Sequence, residues 1–146
     1  MTPERVSLVT LGCRDLARAR AFYAALGWRE HAESRESVAF YRMQGSALAL
    51  FGLGDLGADQ GRATAALGTG AITLAQNFPS RPAVDAAYAA ALAAGATGLK
   101  APEPAFWGGY SGYWADPDGH VWEVAHNPFW DLAEDGALIL PEESGA

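Results

Sequence analysis

Apolar and polar residues follow one another along this chain in two blocks with the same order. Val6–Leu11 reads as a short strand. Asp15 then stands where a helix N-cap belongs, because its carboxylate can accept from the first free backbone N–H groups. Leu16, Ala19, Phe22, Tyr23 and Leu26 recur at helical spacing, and Gly27 supplies a C-cap. Three strands are predicted next, over Trp28–Ala32, Val38–Met43 and Ala47–Phe51. The second block repeats the order: a strand at Ala71–Gln76, then a helix capped by Ser80 or Arg81 with Pro82 in its first turn. Val84, Tyr88, Ala91 and Leu92 form its apolar stripe and Gly95 ends it. Three further strands are predicted near Ala105–Trp107, Ser111–Ala115 and Val121–Ala125.

A β-α-β-β-β block has one uncovered apolar sheet face and cannot stand alone, so two blocks would bury those faces together. The pattern predicts an α+β chain of two paired βαβββ modules, the first over about residues 5–52 and the second over about 71–127. A Gly- and Ala-rich linker over 53–70 joins them, and an acidic tail follows over 128–146. The tail carries Phe129, Trp130, Leu132 and Leu138–Leu140. Two large aromatics there predict docking, either on the chain's own domain or over a partner subunit or the mouth of a site.

At 146 residues and 15.3 kDa the chain can bury a sizeable core. Half of it is hydrophobic and 18% is charged, which excludes a disordered or fibrous class. No apolar run approaches the roughly 18–20 residues that a bilayer span needs. The start Met1-Thr2-Pro3-Glu4-Arg5 lacks the pattern of a signal peptide. The lone Cys13 suits a reducing compartment, so a cytoplasmic location is expected. Net charge is −7 and unevenly spread: residues 101–146 hold 9 acids and no Lys or Arg. An acidic chain without a basic stripe argues against nucleic acid and anionic membranes as partners.

The richest chemistry lies in Trp107–Pro128. Tyr113 and Trp114 favour a strand, Asp116-Pro117-Asp118-Gly119 supplies turn chemistry, and Val121–Val124 favours strand again. Asp116 can bond its own turn, and Gly119 tolerates the positive φ that closes it. The hairpin thus delivers one carboxylate, Glu123, into an otherwise apolar strand. This pattern, with the doubled βαβββ order, resembles the vicinal oxygen chelate superfamily of glyoxalases, bleomycin-resistance proteins and dioxygenases. The resemblance covers about residues 5–127. It implies an open cup-shaped barrel with the site in the cup, and small members of this kind often form homodimers.

In the metalloenzymes of that superfamily, the Glu at this position is a metal ligand, with others on the first and last strands of each module. The first-strand His precedes the capping Asp by seven residues, which lands here on Leu8. Its counterpart falls on Ala71, and Ala47–Phe51 contains no Glu, Asp, His or Cys. One carboxylate cannot hold a divalent ion against water. Of the histidines, His31 is far from Glu123 in sequence, and His120 ends the tight turn and is expected to face solvent. His126 lies three residues from Glu123, hence on the opposite strand face. No metal and no other cofactor is therefore expected.

Glu123 has two readings: a carboxylate that orients or deprotonates a ligand, or one that ties the hairpin together. Its neighbours Val121 and Ala125 would desolvate it, as a general base requires. Trp107, Tyr110, Tyr113, Trp114 and Phe51 are the expected aromatic lining of a ligand site around it. Alternation puts only one of Tyr113 and Trp114 on the face of Glu123. Gly108-Gly109 and Gly68-Thr69-Gly70 lack the context of phosphate or dinucleotide loops, and Cys13 reads as an inert thiol. The function expected is metal-free binding or sequestration of a small molecule. The alternatives are a lyase, isomerase or dioxygenase of the same superfamily, or a non-catalytic interaction subunit.

Overall fold

The computed structural model describes residues 1–143, so the last three residues of the expected tail lie outside the described residues. The fold is α+β, with two main sheets, neither of them closed, and three α-helices among the described residues. No described helix is long and apolar enough to cross a membrane. The chain divides into two compact units. Unit 1 holds Met1–Gly70 with Asp116–His120, and unit 2 holds Ala71–Ala115 and the described residues from Val121 onward.

In unit 1, β1 (Leu8–Cys13) pairs parallel with β3 (Ala47–Gly52), which pairs antiparallel with β2 (Val38–Arg42). Helix α1 (Leu16–Ala25) starts where expected: the Asp15 side chain accepts from the Arg18 N–H at 3.1 Å. Its residues Ala19, Phe22 and Tyr23 are buried, as are Leu11, Leu48, Leu50 and Tyr41 of the strands, and the Tyr23 and Tyr41 ring centroids lie 6.1 Å apart. Tyr23 meets Phe22 edge-on, ring centroids 4.9 Å apart.

The strand expected at Trp28–Ala32 does not form. A single backbone bond, His31 N–H to the Phe40 carbonyl at 2.7 Å, ties this segment to β2. Beyond it, the Arg20 guanidinium caps the carbonyls of Arg35, Glu36 and Val38. Arg35 N–H also donates to the Val38 carbonyl at 2.8 Å, so a tight turn leads directly into β2.

The expected linker contains helix α2 (Leu53–Gln60) and a 3-10 turn, Thr64–Ala66. Its glycines hide it in sequence, since propensity alone disfavours a helix there. Packing supplies what propensity lacks. A Cβ on Gly12 of β1 would stand 2.7 Å from Leu53 Cδ1 and 3.1 Å from Leu56 Cδ2, so α2 seats on a strand position with no side chain.

In unit 2 the sheet order is β4 (Thr73–Asn77), β7 (Val121–His126), β6 (Tyr110–Ala115), β5 (Thr97–Pro104). Helix α3 (Arg81–Ala94) carries its predicted caps: Ser80 accepts from the Ala83 N–H at 3.3 Å, and Gly95 takes φ 108°. The second strand of this block corrects the sequence reading. It runs over Thr97–Pro104 instead of Ala105–Trp107, which forms the following turn. Pro102 and Pro104 disguise it, and they are tolerated because β5 is an edge strand with an irregular register. Asp131–Leu132 and Leu138–Ile139 form a two-stranded ribbon, β8 and β9.

Candidate functional site

Register decides which residues share a face. In unit 2, α3 packs on β5, β6 and β7. Its side of the sheet is marked by the Tyr110 hydroxyl, which donates to Asp85 of α3 at 2.6 Å, and by Arg81 lying 5.1 Å over the Tyr110 ring. Trp114 pairs with Trp122 in the same set of alternate positions, and the two indoles stack at 5.7 Å. Trp114 is buried. It belongs to the core on the face opposite Glu123.

The other face carries the candidate site. Glu123 on β7 stands opposite Tyr113 on β6, and the Tyr113 hydroxyl donates to Glu123 Oε2 at 3.1 Å. Ala75 of β4 flanks Glu123, and Lys100 of β5 stands opposite Tyr113. The row across four strands therefore reads Ala75, Glu123, Tyr113, Lys100. Ser111 and Ala125 lie one step along on the same face. Burial, and then the charge and hydrogen bond of Glu123, push the Tyr113 phenol above its ordinary range. Tyr113 is thus a neutral donor at physiological pH, and Glu123 keeps lone pairs to offer.

Sequence reasoning missed Lys100, because prolines mask the strand that carries it. Lys100 forms an exposed ion pair with Glu103 at 2.9 Å, of the kind that contributes little stability. The remaining expected residues do not gather here. Tyr110 sits on the α3 face. Trp107 folds over Gly109, where a Cβ would stand 1.8 Å from its ring, so the glycine pair serves packing. Phe51 belongs to β3 of unit 1.

The tip of the hairpin, Asp116–His120, behaves differently. Asp116 accepts from Tyr23 Oη at 2.7 Å and from the N–H groups of Asp118 and His120 at 2.9 and 3.0 Å. Asp118 Oδ1 accepts from the Arg14 N–H and from the side chains of Arg14 and Arg18 at 2.9, 3.3 and 3.2 Å. His120 is not solvent-facing. Its Nε2 lies 2.8 Å from the carbonyl of Gly12, so β1 gives the ring a backbone partner. Cys13 is buried, and its thiol is pushed up to about 12, first by burial and then by the Asp118 and Asp116 carboxylates. It is an inert thiol.

The glyoxalase/bleomycin resistance protein/dioxygenase superfamily profile matches residues 5–124. The chain belongs to that superfamily. A glyoxalase-related enzyme from Fulvimarina pelagi is 33% identical, with 96% of this chain and all of that one covered, at a TM-score of 0.88. A lactoylglutathione lyase from Agrobacterium tumefaciens (23% identical, 87% and 96% covered, TM-score 0.65) shares the fold. So does a fosfomycin resistance protein from Mesorhizobium loti, at 20% identity, 86% and 94% covered, TM-score 0.61. No curated protein matches the chain.

Three of the four ligand positions that the resemblance implies hold no ligand here. Leu8 begins β1, Ala71 precedes β4, and β3 offers no ligand. Among the described residues no three His, Cys, Asp or Glu come together.

Proposed function

We propose that this protein binds a small organic molecule on the helix-free face of unit 2, with Glu123 and Tyr113 as polar anchors and without a metal or other cofactor. The open valence of Glu123 supports this reading most. It holds one phenol hydrogen bond and no ion pair among the described residues, beside small neighbours, Ala75 and Ala125. A half-buried carboxylate with spare lone pairs and a neutral donor at 3.1 Å can grip an amine or hydroxyl on one side and a carbonyl on the other. Sequestration needs no more than that affinity.

A second reading is catalytic, with Glu123 as general base and Tyr113 as proton donor. The 33% identical neighbour from Fulvimarina pelagi, described as a glyoxalase-related enzyme, favours it. In either reading the protein acts in the cytoplasm as a homodimer. The exposed Phe106, Phe129 and Leu140 offer apolar surface for self-association.

The deciding experiment begins with metal analysis of untagged protein, followed by a thermal-shift screen of small polar aromatics and metabolites with the wild type and Glu123→Gln. No stoichiometric metal, with stabilisation by ligands that Glu123→Gln abolishes, supports binding at this face. One tightly held metal per chain refutes the metal-free reading. Stabilisation that survives Glu123→Gln moves the site elsewhere.

A further inference from the structure

Unit 1 contains a cavity of about 320 Å³ that nothing above uses. It is lined by His31, Glu33, Phe40, Tyr41, Arg42, Ser46 and Ala47. Phe40 and Arg42 alternate on β2 and share one face of its sheet. The loop that lines the cavity is held in place. His31 N–H donates to the Phe40 carbonyl at 2.7 Å, and Phe40 N–H donates to Ser34 Oγ at 2.9 Å.

The hydrogen bonds around His31 do not close. Glu33 N–H points at His31 Nδ1 at 3.1 Å, and Arg42 Nη2 stands 3.2 Å from His31 Nε2. A neutral imidazole has one acceptor nitrogen and one N–H, so it accepts from only one of these two donors. If Nδ1 accepts from Glu33, the proton lies on Nε2 and meets the Arg42 guanidinium donor to donor. In that tautomer the arrangement lacks an acceptor between Arg42 and His31.

Arg42 is otherwise uncommitted. Arg14, Arg18, Arg20 and Arg35 each pair with a carboxylate, whereas Arg42 has none among the described residues. The nearby acid, Glu33, pairs with Arg35 at 3.8 Å. Ser46 adds a hydroxyl donor, and Phe40 adds an aromatic wall.

We propose that this cavity is a second binding site, for a small aryl carboxylate. One carboxylate oxygen accepts from Arg42 Nη2 and from His31 Nε2–H, which resolves the donor–donor conflict, while the ring lies against Phe40. A guanidinium fork matches a carboxylate better than any other anion of this size. The cavity lies at the small end of ligand sites, which run from roughly 300 to 1,000 Å³, and so suits a single-ring acid.

The test uses sodium benzoate as probe, with benzamide as its neutral isostere and inorganic phosphate as a non-aromatic anion. Binding is read by NMR from the His31 imidazole and the Phe40 amide of isotope-labelled full-length protein. Saturable shifts at both residues with benzoate, none with benzamide, and affinity lowered about tenfold or more in Arg42→Gln are expected. Arg42→Lys should keep part of the affinity. An unchanged amide fingerprint elsewhere confirms that the variants fold. No saturable shift by roughly 10 mM benzoate, equal binding by Arg42→Gln, or benzamide binding as tightly each overturns the proposal. Phosphate binding as well as benzoate overturns the aryl assignment. Glu123→Gln should bind benzoate like wild type, so this site and the one in unit 2 stand or fall separately.

Discussion

Asp116 of unit 1 and Glu123 of unit 2 lie seven positions apart, at the tip and in the second strand of one hairpin, yet their surroundings differ in kind. Asp116 is 3% exposed and accepts from a tyrosine hydroxyl and two backbone N–H groups. Glu123 is half-buried and accepts from one phenol. A carboxylate whose lone pairs are filled by its own protein is part of the scaffold. One that keeps them is a place for something else to bind. The contrast concerns saturation, since both are acids beside apolar residues.

That contrast predicts opposite outcomes for removing each acid. Asp116→Ala leaves the Tyr23 hydroxyl and two backbone N–H groups without their acceptor, and should cost about 3–5 kcal/mol in chemical denaturation. A loss below about 1 kcal/mol would show that the turn's hydrogen bonds are replaced by water. Asp118→Ala should cost less, about 1–2 kcal/mol, since Arg14 and Arg18 are largely exposed and regain solvent.

Cys13 reports on the same saturated turn. Its thiol is raised from the usual 9.0 to about 12, so the unfolded chain loses the proton first as pH rises. Its contribution to stability is therefore complete below pH 9 and is lost progressively between 9 and about 12, at up to roughly 1.4 kcal/mol per pH unit. Cys13→Ala should flatten that part of a stability–pH curve. Native protein should also resist iodoacetamide at neutral pH, and rapid alkylation without unfolding would contradict the assigned burial.

The smallest stability effects belong to unit 2. Glu123→Gln and Tyr113→Phe should each change stability by less than about 0.5 kcal/mol, because one half-buried hydrogen bond is at stake. Both should weaken a ligand found in the thermal-shift screen. A loss of several kcal/mol in Glu123→Gln with ligand binding intact would make Glu123 structural and erase its contrast with Asp116.

Much of this was legible in the chain. Asp15, Gly27, Ser80 and Gly95 mark helix ends through local backbone chemistry, and they do so in the structure. The Asp-Pro-Asp-Gly turn and the strands beside it were equally plain, with Gly119 at φ 88° as the turn requires. Helix α2 was not legible, because its stability comes from Leu53 and Leu56 on the bare backbone of Gly12, a contact far away in sequence. Strand β5 was masked by prolines that only an edge position allows.

The site divides along the same line. Glu123 was evident as the one carboxylate in an apolar strand, and its superfamily was evident from the doubled pattern. Alternation could not choose between Tyr113 and Trp114, because a one-residue slip exchanges the two faces of a strand. The pairing of β6 with β7 made that choice and put Tyr113 on Glu123. Local sequence determined where helices begin, where turns close and which acid enters the sheet, since those depend on neighbours a few residues away. Which donors reach each acid depends on register and packing between distant segments, and only the tertiary structure decided that.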